Sequence, residues 1–199
     1  AFGGSLYGGY TKGSGNVEKN QIFVHNKAAN LVQGNVFGGL AKGIFLGSGN
    51  ANHNIVTLTG GTFSQNIYGG SSSSGDATYN TVNLGDGKKT FDGEIQGTIY
   101  GGDGPGTGNH VTGNTLNVNT NVVADNIKNF STINFNYNAT VSAGAMLHLN
   151  DGAGKGARVD WNGIHLTGTP EQSLTLMAHA NGMQIDNYAP GSIKQLTLT

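Results

Sequence analysis

A four-residue motif, made of an aliphatic residue, an aromatic residue and two glycines, occurs four times at nearly constant spacing. Successive copies begin 30, 31 and 32 residues apart. A fixed period of this length is typical of repeat architectures, because such a short unit cannot bury its own apolar side and must stack on its neighbours. The four copies are Leu6–Gly9, Val36–Gly39, Ile67–Gly70 and Ile99–Gly102.

A second element follows each copy after a Gly/Ser-rich segment. It opens with an Asn, and the second and fourth residues after that Asn are aliphatic. Alternation with a period of two predicts a half-buried strand whose aliphatic side chains point inward. We interpret the Asn as structural, with its amide bonded to neighbouring backbone and to the next repeat. The four elements are Asn20–Val24, Asn54–Leu58, Asn80–Leu84 and Asn114–Val118.

The repeat predicts an all-β fold, a parallel β-helix or β-solenoid with rungs of about 30 residues, which we expect to be right-handed. Each rung would contain a strand, a loop, a second strand and a turn, and equivalent residues would stack ~4.8 Å apart along the axis. The chain contains 35 glycines. We expect them where the backbone turns with a positive φ.

The motif is absent after about residue 129, although apolar alternation continues. We therefore divide the chain into a regular solenoid over residues 1–129 and an irregular continuation or C-terminal cap of the same β-helix over residues 130–199. A separately folded β domain is the alternative for the second part. The strands predicted there, beyond the alternating Ile133, Phe135 and Tyr137, are Ala139–Leu149, Ile164–Leu166, Leu174–Ala178, Met183–Ile185 and Ile193–Leu198.

Composition excludes several classes of protein. The chain has no Cys, so it holds neither a disulfide framework nor a cysteine-based zinc site. Its formal net charge is −1, and Arg158 is its one arginine, which argues against nucleic acid as a partner. The sequence contains no apolar run long enough for a membrane-spanning helix. It starts inside the repeat pattern and without Met, so we expect a piece of a longer protein.

The repeated residues resemble those of a known family. An aliphatic–Tyr–Gly–Gly motif, a Gly/Ser-rich loop ending in Gly-Asn, and a run such as Asn80–Leu84 are similar to the repeats of autotransporter passenger domains, which Gram-negative bacteria export by type V secretion. This resemblance covers residues 1–120. It implies a β-helical stalk exported across the outer membrane and located at the cell surface or secreted, with its anchoring β-barrel outside these residues. It also implies an adhesin or aggregation factor.

The aromatic residues of the motif form a candidate binding surface. They alternate with the inward aliphatic residues, so Tyr7, Phe37, Tyr68 and Tyr100 must point outward in one column. One interpretation is a flat platform on which a sugar face or an apolar patch of a partner stacks. The other is a structural ladder in which the rings pack on one another.

The segment Asn150–Trp161 is the second candidate. It reads as a loop and carries Lys155, Arg158 and the single Trp161. Loops on rigid scaffolds often carry recognition, and Trp and Arg are frequent in binding hot spots. The alternative is a tethering loop with Trp161 packed against the solenoid.

Other chemistry has weaker signals. We expect His148, His165 and His179 to face solvent without converging on a metal ion. The carboxylates are scattered, with only Asp92 and Glu94, and the pair Asp151 and Asp160, close in sequence. We therefore predict no catalytic residue, no metal site and no cofactor.

Three functions remain after these arguments. The first is a non-catalytic adhesin that attaches to a host-cell surface protein, matrix or glycan. The second is self-association with another copy of the chain through its polar or aromatic ladders. The third is a polysaccharide-active enzyme, which needs two or three acids clustered in one groove. We prefer the adhesin, because the resemblance favours attachment. The fold alone does not decide between these functions.

Overall fold

The computed structural model describes residues 1–43, 47, 49–152, 154, 156–171 and 173–188. The fold is all-β, with 49% strand and 2% helix, and its parallel sheets stack as a β-solenoid of about 6 turns. The predicted fold class and its period are therefore confirmed.

The short strands of each turn are separated by loops and bends. The strands are β1 (Leu6–Lys12), β2 (Val17–Glu18), β3 (Gln21–Val24), β4 (Leu31–Val32), β5 (Val36–Lys42), β6 (Ala51–Asn52), β7 (Ile55–Leu58), β8 (Thr62–Phe63), β9 (Ile67–Ser72), β10 (Thr81–Leu84), β11 (Ile95–Asp103), β12 (Thr115–Val118), β13 (Val122–Lys128), β14 (Thr132–Asn136), β15 (Ala145–Leu149), β16 (Ala157–Asp160), β17 (Ile164–Thr167), β18 (Thr175–His179) and β19 (Met183–Asp186). A 3₁₀ turn covers Trp161–Gly163.

Two long parallel sheets run along the solenoid. The first contains β1, β5, β9, β11, β13, β15 and β18 in that order, and the second contains β3, β7, β10, β12, β14 and β17. In the first sheet Leu6 pairs with Val36, Val36 with Ile67, and Ile67 with Ile99. Residues at the same place in the motif therefore lie directly over one another.

The core lies between the two sheets, and the alternating aliphatic residues fill it. All six such residues of β7, β10 and β12 have no exposed surface. Each contributes ~1.5–3 kcal/mol by leaving water. In the first turn Leu6, Ile22 and Val24 are only half-buried, because β1 and β3 each have a neighbouring strand on one side among the described residues.

The predicted column of Asn residues forms a hydrogen-bonded ladder inside the solenoid. Both the backbone N–H and the side-chain amide of Asn54 donate to Oδ1 of Asn80, at 2.9 and 3.1 Å. Asn80 donates to Asn114 in the same way, at 2.8 and 3.3 Å. Asn20 donates likewise to Asn54, at 3.1 and 3.0 Å. The structural interpretation of these residues is confirmed.

The Gly-Gly pair of the motif has a different role from the one we predicted. None of its eight glycines has a positive φ. The second glycine faces the Asn ladder, and a Cβ on Gly9, Gly39, Gly70 or Gly102 would lie 2.5, 2.6, 2.5 or 2.8 Å from the nearest side-chain amide atom of that ladder. The pair is thus needed for space, because a real Cβ does not approach so closely.

The later strands extend both sheets, with some differences from the predicted bounds. Strands β17, β18 and β19 match three predicted strands within a residue or two at each end. Of the predicted Ala139–Leu149, the first six residues form a turn and bends before β15 begins. The predicted Ile193–Leu198 lies outside the described residues. The interpretation of Asn150–Trp161 as a loop was wrong over its last part, where β16 pairs with β19.

Candidate functional site

The four aromatic residues of the motif form a continuous stack on the outside of the first sheet. The ring centroids of Tyr7 and Phe37 are 5.3 Å apart, those of Phe37 and Tyr68 4.7 Å, and those of Tyr68 and Tyr100 4.9 Å. The angles between neighbouring ring planes are 3, 7 and 11°. The stack follows from the in-register pairing, which brings each ring to the strand spacing from the next. We call these four residues the aromatic ladder.

The geometry of the aromatic ladder limits how it can contact a ligand. Phe37 and Tyr68 each have both ring faces covered by the neighbouring rings, so a sugar cannot stack on them. Phe37 is only 9% exposed, whereas Tyr7, at the first turn, is 46% exposed. The ladder therefore offers ring edges and hydroxyl groups along its length, while at its two ends Tyr10 contacts the ring of Tyr7 and Lys128 lies over the ring of Tyr100.

The hydroxyl groups of the ladder lie in a partly desolvated, electronegative setting. The pKa of Tyr68 is raised by burial, with a smaller contribution from Asp103, while the amide of Asn66, which donates to the Tyr68 hydroxyl at 3.0 Å, lowers it. Burial also raises the pKa of Tyr100, and the charges of Tyr68 and Asp103 add to that shift. Both hydroxyls therefore stay protonated, and can donate hydrogen bonds, through neutral pH.

A lysine takes the position of the aromatic residue in the next turn. Lys128 pairs in register with Tyr100, and its Nζ lies 5.8 Å from the centroid of that ring, within cation–π range. Lys128 was not among the predicted binding residues, because the motif that defines the ladder consists of an aliphatic residue, an aromatic residue and two glycines. The signal was present, since Ile127–Lys128 follows Ile99–Tyr100 by 28 residues in a segment of alternating apolar residues.

A groove of about 410 Å³ opens beside Lys128, between the end of β13 and β16. We call it the β13–β16 groove. Arg158, predicted as a binding residue, lies on its rim, where its Nε donates to Oδ2 of Asp186. This contact raises the pKa of Arg158 and lowers that of Asp186. The groove is lined by Val111, Ile127, Lys128, Asn129, Phe130, Gly156, Arg158, Val159, Asp160 and Asp186.

Trp161 is not among the described residues that line the groove. Trp161 is 7% exposed, and its ring meets the ring of Tyr188 edge-on with centroids 5.0 Å apart. This agrees with the alternative interpretation, in which Trp161 packs against the solenoid. Lys155 lies outside the described residues. The structure thus brings Arg158 close to the end of the aromatic ladder through Lys128, and it directs Trp161 inward.

The expectation that three histidines face solvent holds for His148 and His165 and was wrong for His179. His179 is 7% exposed, and its Nδ1 accepts a hydrogen bond from the backbone N–H of Asn181 at 3.0 Å. In the neutral ring the proton then sits on Nε2, which faces Oδ2 of buried Asp151 at 3.7 Å. Leu176 and Met177 are both buried, so the alternation changes phase within β18, and His179, which pairs with buried Leu149, points inward.

In the described part of the chain, no three His, Asp or Glu side chains lie close enough together to hold a metal ion. Among those same residues, no helix has the length and apolar character needed to cross a membrane.

The fold and the surface together define the class of this protein. It is a parallel β-solenoid with an internal Asn ladder and an external aromatic ladder. Comparison with known proteins adds no family, since no family model, curated protein or solved structure matches the chain.

Proposed function

We propose that this chain is a non-catalytic adhesin module, part of an autotransporter passenger exported to the bacterial cell surface, that attaches to host cells, matrix proteins or glycans. The observation that carries the proposal is the aromatic ladder, which holds ring edges and protonated hydroxyls in fixed positions on a stacked scaffold. Rigid aromatic contacts of this kind bind with little loss of conformational entropy.

The polar columns of the second sheet are less suited to binding a partner. The amide of Asn83 donates to Thr57 at 3.0 Å, that of Asn117 to Asn83 at 2.7 Å, and that of Asn134 to Asn117 at 2.8 Å. These groups spend a large part of their hydrogen-bonding capacity on one another. A partner therefore gains more from the aromatic ladder, whose ring edges and hydroxyls face outward.

A binding assay tests the proposal. The purified chain is applied to cultured cells, immobilised matrix proteins and a glycan array, beside the double variant Tyr68→Phe/Tyr100→Phe, which keeps the stacked rings and removes two hydroxyls. We expect the wild type to bind at least one class of surface and the double variant to bind about fivefold more weakly.

Tyr79→Phe is the matched control, since it removes an exposed hydroxyl outside the aromatic ladder. Its binding should equal that of the wild type. Absence of binding to cells, matrix and glycans would refute the adhesin, and equal losses in all the variants would exclude the ladder as the contact surface.

A specific observation favours self-association as a second candidate. Four large side chains with apolar rings are exposed in the first described turn, namely Phe2, Tyr7, Tyr10 and Phe23. Exposed apolar side chains that lie near one another promote association between chains. Sedimentation at increasing concentration tests this candidate, and a strict monomer throughout would eliminate it.

A further inference from the structure

Two Asn-Gly pairs occur in the chain, Asn162–Gly163 and Asn181–Gly182. In such a pair the asparagine can react with its own backbone, because the nitrogen of the next residue can reach the side-chain carbonyl carbon and glycine has no Cβ to hinder that approach. The reaction also needs water and a backbone that can rotate. Both asparagines are exposed, so neither the sequence nor the exposure of the side chains separates the two pairs.

The backbone of the first pair is held in place. Gly163 ends the 3₁₀ turn Trp161–Gly163 and is buried, and the N–H of Ile164 donates to the carbonyl of Trp161. A Cβ on Gly163 would lie 2.2 Å from the carbonyl oxygen of Ser131, so this backbone packs directly against the preceding turn. Rotation of the peptide towards the Asn162 side chain would require the two turns to separate.

The second pair lies in an open turn between β18 and β19. Gly182 is exposed and has a φ of 82°. Among the described residues beyond its two chain neighbours, no atom would lie within 4 Å of a Cβ at this position. Its N–H donates to the carbonyl of His179 at 3.3 Å, which is longer than a usual N–H···O hydrogen bond. The nitrogen of Gly182 can therefore turn towards the side chain of Asn181 at little cost.

We propose that Asn181 is a site of spontaneous deamidation. Solvent hydroxide removes the proton of the Gly182 backbone nitrogen, and this nitrogen forms a bond to Cγ of Asn181. The Cγ–Nδ2 bond breaks, and ammonia leaves with a proton taken from water. The resulting succinimide ring takes up one water at either of its carbonyl carbons and opens to aspartate or isoaspartate. One water enters and one ammonia leaves, so the reaction uses no oxidant, reductant or other co-reactant.

The conversion removes a contact to the buried Asp151. The side-chain amide of Asn181 donates to the backbone carbonyl of Asp151 at 3.1 Å. A carboxylate at position 181 has no proton to donate at neutral pH, so this hydrogen bond is lost and a negative charge is added beside the carbonyl oxygen. The turn between β18 and β19 then loses one of the bonds that hold it to the rest of the solenoid.

The isoaspartate product also changes the backbone. It adds one carbon to the main chain directly before Gly182, and the next residue, Met183, begins β19 and pairs with Ala157 of β16. A longer turn shifts Met183 away from its partner. Deamidation therefore loosens the pairing of β16 with β19 as the protein ages. This inference goes beyond the proposed function and does not depend on it.

Peptide mapping by mass spectrometry of the whole chain, aged in mildly alkaline buffer, tests the site. We expect isoaspartate to form at position 181 about tenfold faster than at position 162. Isoaspartate identifies the succinimide route, because direct hydrolysis of the amide gives aspartate alone. The two pairs control for each other, since both have glycine as the next residue. In denaturant, which removes the packing of Gly163, the two rates should become similar.

Variants test the chemistry and its consequence. Asn181→Gln keeps an amide and should abolish the conversion, because its longer side chain must close a larger ring. Asn181→Asp reproduces one product, and hydrogen exchange in β16 and β19 should be about fivefold faster than in the wild type, with no change in β9 and β10. Asn162→Asp adds the same charge at the packed pair and should leave exchange in β19 unchanged.

Three outcomes would overturn the inference. The first is no isoaspartate at position 181 in the folded chain under conditions that convert a short peptide of residues 178–184. The second is an equal rate at the two pairs in the folded chain, and the third is a rate difference that persists in denaturant. Equal exchange in Asn181→Asp and Asn162→Asp would contradict the effect on the pairing of β16 with β19.

Discussion

Buried polar groups are satisfied differently in the middle turns and in the last turns of the solenoid. In the middle, Asn54, Asn80 and Asn114 bond to one another, so each copy of a residue is the partner of the next. In the last turns Asp151 accepts from the Asn126 amide at 3.2 Å and from the N–H of Gly156 at 2.6 Å, and it faces His179. These partners of Asp151 are unlike residues, and none of them is a copy of Asp151 from another turn.

This difference determines how many turns are destabilised when one of these side chains is removed. A ladder residue is both donor and acceptor, so removing one leaves unsatisfied groups in the neighbouring turns. Asp151 joins the loop before β16 to β13 and β18, so its loss affects the segments that meet there. We therefore expect a substitution in the Asn ladder to destabilise several turns, and a substitution of Asp151 to destabilise only the segments that it joins.

Replacement of a central ladder residue should have the largest effect. Asn80→Ala removes the acceptor of two Asn54 donors and the donor to Ala51, all in the buried interior. Leaving such groups unpaired costs 1–3 kcal/mol each, so we expect a loss of about 3 kcal/mol in the free energy of unfolding. Denaturant titration measures it. Asn20→Ala, at the half-buried end of the same ladder, is the control, with an expected loss of about 1 kcal/mol. Equal losses would show that the ladder does not act through its neighbours.

Neutralising the buried carboxylate should have a smaller and more confined effect. Asp151→Asn replaces one acceptor oxygen by a donor that faces an N–H or amide group, and we expect a loss of about 2 kcal/mol. Hydrogen exchange should accelerate in β16 and β18 and stay unchanged in β9 and β10. Asp86→Asn, at an exposed carboxylate, should change stability by less than about 0.5 kcal/mol. Faster exchange throughout the solenoid would contradict a local role for Asp151.

The smallest effect on stability should come from the tyrosines of the aromatic ladder, and it should be seen at alkaline pH. Burial raises the pKa of Tyr68 and Tyr100 above that of an unfolded tyrosine. The stability from these two groups is present below the unfolded pKa of about 10 and is lost as the pH rises through the folded pKa, because the unfolded chain loses its protons first. Tyr68→Phe/Tyr100→Phe should reduce this alkaline loss, measured by thermal unfolding at several pH values. An unchanged pH dependence would exclude the two tyrosines as its source.

The regular turns could be predicted in detail because each position was sampled four times. The inward positions of Val56, Leu58, Val82 and Leu84 and the outward position of Tyr7 follow from alternation alone. The Asn ladder could be predicted too, since the same amide recurs at the start of each strand. The space that Gly70 leaves for Asn80 could not be predicted from the sequence, because the two residues are ten positions apart and meet only across the interior.

Within the candidate site, the aromatic ladder was predictable and the β13–β16 groove was not. Lys128 breaks the motif that revealed the ladder, and β16 pairs with β19 outside the two long sheets. Arg158 was singled out as a loop residue, and its actual setting depends on the pairing of β16 with β19.

The amino-acid sequence by itself determined the stacked architecture, the period of its turns and the inward or outward direction of the repeated side chains. Repetition makes this possible, because a regular parallel stack puts every residue against a copy of itself, and a local pattern then specifies a long-range contact. Only the tertiary structure decided that His179 is buried against Asp151 and that Lys128 and Arg158 share a groove. These contacts join unlike residues from different turns, so no periodic signal in the chain encodes them.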